Sequence, residues 1–233
     1  MNETRSAERG VKPVGRVGRA AMAAALAFVA AAASAGTVRG RVEVLDKGGR
    51  RATDLAEAVV WVEGPKVRPE PSTAVIAMKG KAFLPRVAVV PVGGTVEFPN
   101  QDAIFHNVFS VSGENRFDLD LYKKPKSGAW TFKVPGLVRV YCNIHPQMSA
   151  YVLVRDNPFW ARVAADGSFA IEGVPAGSWT VKAWHERGGE GSLPAAVPAE
   201  GALDLALRLD ASRFKRAPHK NKFGKNYEAG EKY

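Results

Sequence analysis

Cys142, His145 and Met148 stand three residues apart in the stretch Cys142-Asn143-Ile144-His145-Pro146-Gln147-Met148, which follows the apolar run VRVYC and precedes AYVLV. A thiolate, an imidazole and a thioether on one short loop between two strands can converge on a single point. One loop cannot surround an ion, so a fourth donor has to come from elsewhere. His106 is the candidate, because it opens the apolar run HNVFS after the polar turn Asn100-Gln101-Asp102. Cys142 is the single cysteine among 233 residues. Cysteines of oxidising compartments come in pairs, so an unpaired one there is deeply buried, a nucleophile or a metal ligand.

The softness of the donors narrows the metal. Two imidazoles, one thiolate and one weak thioether suit copper, and a trigonal His₂Cys plane with a long axial Met is the blue-copper arrangement. Structural zinc favours several cysteines and makes poor use of methionine. Haem attachment needs C-x-x-C-H, and an iron–sulfur cluster needs more than one cysteine. Taken singly, a buried cysteine, a packed methionine and a turn histidine are ordinary; their order within one chain favours the metal. Of the other histidines, His185 alternates with Val181 and Ala183 and reads as packed or at the surface, and His219 reads as solvated.

The elements that must position these residues are strands. Hydrophobic residues make up 46% of the chain, enough for a real core, and no amphipathic helical period is sustained beyond the first thirty-odd residues. The predicted fold class is all-β. Alternating or apolar runs predict strands at 37–45, 58–62, 74–78, 86–90, 94–98, 106–111, 129–134, 136–142, 150–155, 160–164, 168–171, 179–185 and 202–209, with Gly and Pro between them. Asp166-Gly167 reads as a hairpin turn. Residues 64–72, rich in Pro and charge, read as a linker or boundary.

Residues 1–35 read as a secretory signal: Arg16 and Arg19, then the apolar stretch from Ala20 to Ala32, then Ala33-Ser34-Ala35 as a cleavage site. The apolar run is shorter than the roughly 20 residues a membrane-spanning helix needs, which leaves an anchor as the lesser reading. A periplasmic location is therefore expected. The net charge is +10, of which +3 lies in the leader and +5 in residues 212–233. That basic stretch, 211–233, is expected to be a disordered tail, with an anionic membrane surface or an acidic protein as its possible partner. Nucleic acid is not expected, since no stacking platform accompanies the charge.

The residues VAVVPVGGTVEFPNQDAIFHNVFS and GLVRVYCNIHPQMSAYVLV resemble a cupredoxin, the family of plastocyanin and amicyanin, and the short C-x-x-H-x-x-M loop is similar to that of amicyanin from methylamine-utilising systems. The resemblance implies a Greek-key sandwich or barrel over 66–155 holding one type 1 copper ion. It implies His106, Cys142 and His145 as equatorial ligands, Met148 as the axial one, and Asn107 as the residue that ties the two ligand loops together. It further implies that His145 passes the electron, that Phe105, Pro146 and Met148 form an apolar docking patch, and that Tyr141 offers a second exit. GTVRGRVEVL, AVVWVEG and ARVAADGSFAIEGVPAGSWTVKAWHE are similar to parts of a carboxypeptidase-regulatory or prealbumin-like sandwich. The expected division is thus 37–65 with 156–210 as a smaller prealbumin-like sandwich and the cupredoxin inserted in it; the simpler alternative lets 37–62 supply the cupredoxin's first strands.

The expected function is a one-electron carrier between a redox donor and acceptor, cycling Cu(I) and Cu(II), and not an enzyme. A storage or delivery protein would favour Met- or His-rich tracts, and the chain has four of each. A copper oxidase or nitrite reductase would need a second, multi-histidine centre. In the remaining alternative the smaller sandwich is itself the binding module.

Overall fold

The computed structural model describes residues 1, 35–216 and 218–227. The expected leader lies outside the described residues except for Met1 and Ala35, the latter opening the first strand. The described residues are nearly all β, with two single 3₁₀ turns at Leu55–Glu57 and Gly113–Asn115. In chain order the strands are β1 (Ala35–Leu45), β2 (Val59–Glu63), β3 (Thr73–Val75), β4 (Ala77–Met78), β5 (Phe83–Leu84), β6 (Val87–Pro91), β7 (Thr95–Pro99), β8 (His106–Ser110), β9 (Phe117–Tyr122), β10 (Ser127–Thr131), β11 (Gly136–Tyr141), β12 (Ser149–Arg155), β13 (Trp160–Arg162), β14 (Ser168–Pro175), β15 (Gly177–His185), β16 (Gly189–Val197) and β17 (Ala202–Asp210).

Two pairs of sheets enclose two cores. The sheets β14-β1-β17 and β13-β2-β15-β16 face each other over Val38, Val42, Val60, Val62, Val181 and their neighbours. The sheets β10-β7-β3 and β6-β12-β11-β8-β9 enclose the second core, which holds Phe98, Phe132, Val152, Cys142 and Met148. Strands such as β1 and β7 bury one face by the two-residue alternation of the pleat. Two pairings place the loop that carries the donors. β12, which leaves that loop, runs parallel to β6, with Tyr151 opposite Val87. β11, which leads into it, meets β8 through Tyr141 opposite Phe109.

The apolar runs VVWV and VAVV are buried at every position, because these strands have no solvent face. Val60 and Val62 enter the first core and Ala88 and Val90 the second, while Val59, Trp61, Val87 and Val89 meet in a third cluster with Leu153 and Trp184. Continuous rather than alternating hydrophobicity is the mark of a strand covered on both faces. Burying Val59, Val87, Val89 and Leu153 contributes on the order of 6 kcal/mol. The part-buried pair Arg86–Glu186 (2.6 Å) reinforces the same contact, and Tyr151 donates its hydroxyl to Glu186 (3.0 Å).

The strand pattern departs from expectation at several points. β5, β9 and β16 lie in stretches with no predicted strand. β16 carries Pro194, tolerable because β16 ends its sheet and an edge strand can leave one N–H position open to solvent. The Asp166-Gly167 turn forms, with Gly167 at φ 89° and Ala164 N–H donating to Ser168 O (2.8 Å). It does not make a hairpin, since β13 joins β2 and β14 joins β1 in opposite sheets. Residues 64–72 contain no helix or strand.

The expected disordered tail needs the largest correction. Residues 218–227 fold back onto the donor-loop side of the second core: Lys222 N–H donates to Asn143 Oδ1 (2.8 Å), and the His219 ring stacks on Tyr141 at 4.2 Å. The physical reason is that acidic and aromatic groups on β9 and β11 give the cations and rings of this stretch something to bind. Residues 228–233 lie outside the described residues.

Candidate metal centre

His106 opens β8 and is fully buried. Its orientation is set four residues upstream. Asn100, 3% exposed, shapes the loop by donating Nδ2 to the Ile104 and Tyr122 carbonyls and accepting the Asp102 N–H. Asp102 thereby accepts from the Gly80 N–H (2.8 Å), the Lys81 N–H (3.0 Å) and His106 Nε2 (2.9 Å). Gly80 and Lys81 present these N–H groups from successive left-handed conformations, φ 62° and 57°. Burial pushes the Asp102 carboxyl up, but the Lys81 and Gly80 amides and His106 outweigh it and hold it down to about 2. An ionised carboxylate can only accept, so His106 Nε2 carries the ring proton and Nδ1 is left with a bare lone pair.

That lone pair faces the other donors. His106 Nδ1 lies 3.0 Å from His145 Nδ1, and Cys142 Sγ lies 3.6 Å from the same His145 atom. The ligand atoms of His106, Cys142 and His145 all fall within 4.8 Å of one another, with all three residues buried. Burial raises the Cys142 thiol despite N–H groups from Asn107, Ile144 and His145. Burial first, and then the proximity of the His106 ring and the Lys81 ammonium, lower His145, which favours the neutral, ligating imidazole. Without an ion, His145 Nδ1 can donate a proton to the bare His106 Nδ1 across 3.0 Å; a cation bound there would take the place of that proton. The two imidazoles and one thiol fit a borderline-soft ion such as copper.

Asn107 joins the two loops. Its backbone N–H points at Cys142 Sγ (3.5 Å), its Oδ1 accepts the Asn143 N–H (3.3 Å), and its Nδ2 donates to Asp118 Oδ1 (2.7 Å) and the Asp120 carbonyl (3.0 Å). The donor loop closes on itself through Met148 N–H to His145 O (2.9 Å) and Cys142 N–H to Met148 O (3.3 Å).

With this geometry in view, the chain can be set against known proteins. No family model matches it, and no curated protein does. Solved structures do. The similarity is to cupredoxins. A purple cupredoxin from Nitrosopumilus maritimus is 23% identical over 35% of this chain and 99% of its own, with a TM-score of 0.32. Amicyanin from Paracoccus versutus is 24% identical over 41% of this chain and 97% of its own, at 0.34. A copper-containing nitrite reductase from Thermus scotoductus is 30% identical over 40% of this chain but 24% of its own length, at 0.34.

The remaining expected site residues fall as follows. Met148 is 1% exposed, in the same core as Cys142, so it cannot belong to a surface docking patch, which corrects that expectation. Phe105 is 48% exposed, with Lys123 Nζ 5.1 Å from its ring centroid, and Pro146 is exposed. Of the three converging donors, His145 alone keeps measurable exposure, 9%. Tyr141 is covered by the His219 ring. His219 is therefore not solvated as expected, and burial lowers its pKa.

Among the described residues a second group, Asp54, Glu57 and His185, also brings ligand atoms together. It is an ion-pair network and poorly suited to a metal. Arg187 already binds both Asp54 oxygens (2.6 and 3.0 Å) and pairs with Asp46. Arg187 N–H also approaches His185 Nδ1 (3.3 Å), the atom that would have to carry the proton if Nε2 bound an ion.

Sequence reasoning missed Asp102, Asp118, Lys222 and Tyr227. Asp102, four residues before His106 in a polar turn, carried a usable signal. The other three come together through the fold, and no spacing announces them.

Proposed function

We propose that this chain is an exported carrier of single electrons, holding one type 1 copper ion with His106 Nδ1, the Cys142 thiolate, His145 Nδ1 and the Met148 thioether as axial ligand. The observation that carries the reading is the convergence of three buried donors with His106 Nδ1 bared by Asp102. When bound, copper supplies a one-electron Cu(I)/Cu(II) couple. The protein's part is to hold the donors in one geometry through Asp102, Asn107 and the closed 142–148 loop, so that little moves when charge changes. A buried thiolate with hydrogen bonds to its sulfur is also the lever by which the surroundings set the potential.

Electrons enter and leave at the exposed edge of His145, with Phe105 and Pro146 as apolar contacts for a redox partner protein. A carrier is favoured over an enzyme because His185 is engaged with Asp54 and Arg187 and His219 with Tyr141, which supports no second multi-histidine centre. The two cores are read as two domains, the copper-binding one (66–155) inserted in a sandwich of 37–65 with 156–210. Arg213, Lys215, Lys220 and Lys225 suit an acidic partner protein or an anionic membrane surface, in the periplasm that the leader implies.

The test is voltammetry of the copper-loaded full chain with a chelator competition beside it. A reversible one-electron couple, with copper retained against the chelator, supports the carrier. Irreversible electrochemistry with copper lost within minutes points instead to a storage or delivery protein.

A further inference from the structure

Beyond Ala211, which closes the first core, the segment after the last strand belongs to neither core, yet it is built. A turn at Asn221–Lys225 reverses the chain: Asn221 Oδ1 accepts the Phe223 and Lys225 N–H groups (both 3.0 Å), Asn221 N–H donates to Lys225 O (2.9 Å), and Gly224 adopts φ 76°. This turn delivers two residues to the donor loop. Lys222 donates its backbone N–H to Asn143 Oδ1 (2.8 Å) and Nζ to Asp118 Oδ2 (2.6 Å). Tyr227 donates its hydroxyl to the Cys142 carbonyl (3.0 Å).

These three contacts lead to the sulfur. Asp118 holds Asn107 Nδ2, and Asn107 in turn points its backbone N–H at Cys142 Sγ and binds Asn143. Lys222 thus fixes the carboxylate that fixes the residue touching the sulfur, while Tyr227 grips the peptide of the cysteine itself. Burial raises the Asp118 carboxyl, but Lys222 and Asn107 outweigh it and keep it ionised.

We propose that Lys222 and Tyr227 are positioning residues for the metal centre, and that residues 218–227 form a tethered clamp holding the Cys142–Met148 loop in its ligating shape. The inference rests on the copper reading for its consequence and on the hydrogen bonds for its geometry. Partners outside the ligands change metal affinity about 10- to 100-fold when removed. Lys222→Ala removes the Nζ contact to Asp118, keeps the backbone N–H to Asn143 and leaves every ligand in place; Tyr227→Phe removes the contact to the Cys142 carbonyl.

The experiment uses the full chain with and without copper. In the copper-loaded protein, Lys222→Ala with Tyr227→Phe is expected to release copper to a chelator about tenfold faster or more, with a measurable shift of reduction potential. Lys222→Arg, which keeps the cation opposite Asp118, restores most of the loss. In the metal-free protein, amide exchange at Asn143 and Met148 rises in the double variant while that of β1 and β17 does not. Unchanged release, potential and loop exchange would overturn the clamp. If the parent chain fails to bind copper through Cys142, the copper reading falls. The exchange arm then decides the clamp by itself.

Discussion

Asp102→Asn is the substitution that bears most directly on how the site is oriented. Asp102 accepts three N–H groups, from Gly80, Lys81 and His106 Nε2, whereas an asparagine of the same shape offers one oxygen. Gly80 donates to Oδ1, whereas Lys81 and His106 Nε2 share Oδ2, so when the amide oxygen stays with Gly80 its NH₂ faces the Lys81 N–H and His106 Nε2, and donors cannot bond each other. The imidazole then shifts its proton to Nδ1, the atom aimed at His145 and Cys142, and is no longer a ligand. Replacing the charged acceptor at the fully buried His106 ring by a neutral amide costs about 1–2 kcal/mol of stability. The affinity cost, by analogy with other residues that orient metal-bound histidines, is about 10- to 100-fold. Urea unfolding of the metal-free protein reads the first, and competition titration with a chelator of known copper affinity reads the second. Asp166→Asn, in an exposed turn, is the control. A variant with near-parental copper affinity would refute the claim that Asp102 selects the ligating tautomer.

The other expectations concern the body of the protein and its surface. Burial raises the Glu186 carboxyl, but Arg86 and Tyr151 outweigh it and leave its pKa below the ordinary value, so its stabilisation is present above the usual Glu range near pH 4.3 and lost as pH falls through the folded value. Glu186→Gln should therefore cost about 3 kcal/mol at neutral pH, with the gap from the parent closing in acid, as chemical denaturation at several pH values would show. A fragment of residues 66–155 exposes Val87, Val89 and Leu153; it is expected to bind a hydrophobic dye and self-associate, and Val89→Lys to relieve this by light scattering. Phe105→Glu is expected to slow electron exchange with a partner about tenfold or more by charging the contact surface, leaving the visible spectrum unchanged in stopped-flow and absorption measurements.

How much of the molecule was legible depends on whether the signal was local. The all-β class followed from short apolar runs between Gly and Pro, and His106, Cys142 and His145 could be named because donor atoms on strand ends and one short loop are constrained by spacing. The apolar runs VVWV and VAVV were legible as strands, but not that both their faces are covered, nor by which surfaces. β9, with alternating Asp118 and Asp120, and β16, with Pro194, escaped because edge strands do not need the usual pattern. The largest miss, the stretch from Ala211 to Tyr227, had the composition of a solvated tail. Its order comes from partners more than 70 residues away, Asp118, Asn143 and Tyr141, which no window along the chain brings together.

The central claim is that His106, Cys142 and His145, with Met148, form one copper site with a thiolate ligand. The most direct measurement is the visible and EPR spectrum of the protein with one equivalent of Cu(II), beside Cys142→Ala. The account predicts an intense thiolate-to-copper band with narrow copper hyperfine splitting, both absent from the variant. A colourless sample with an ordinary square-planar copper signal, the same in parent and variant, would contradict it.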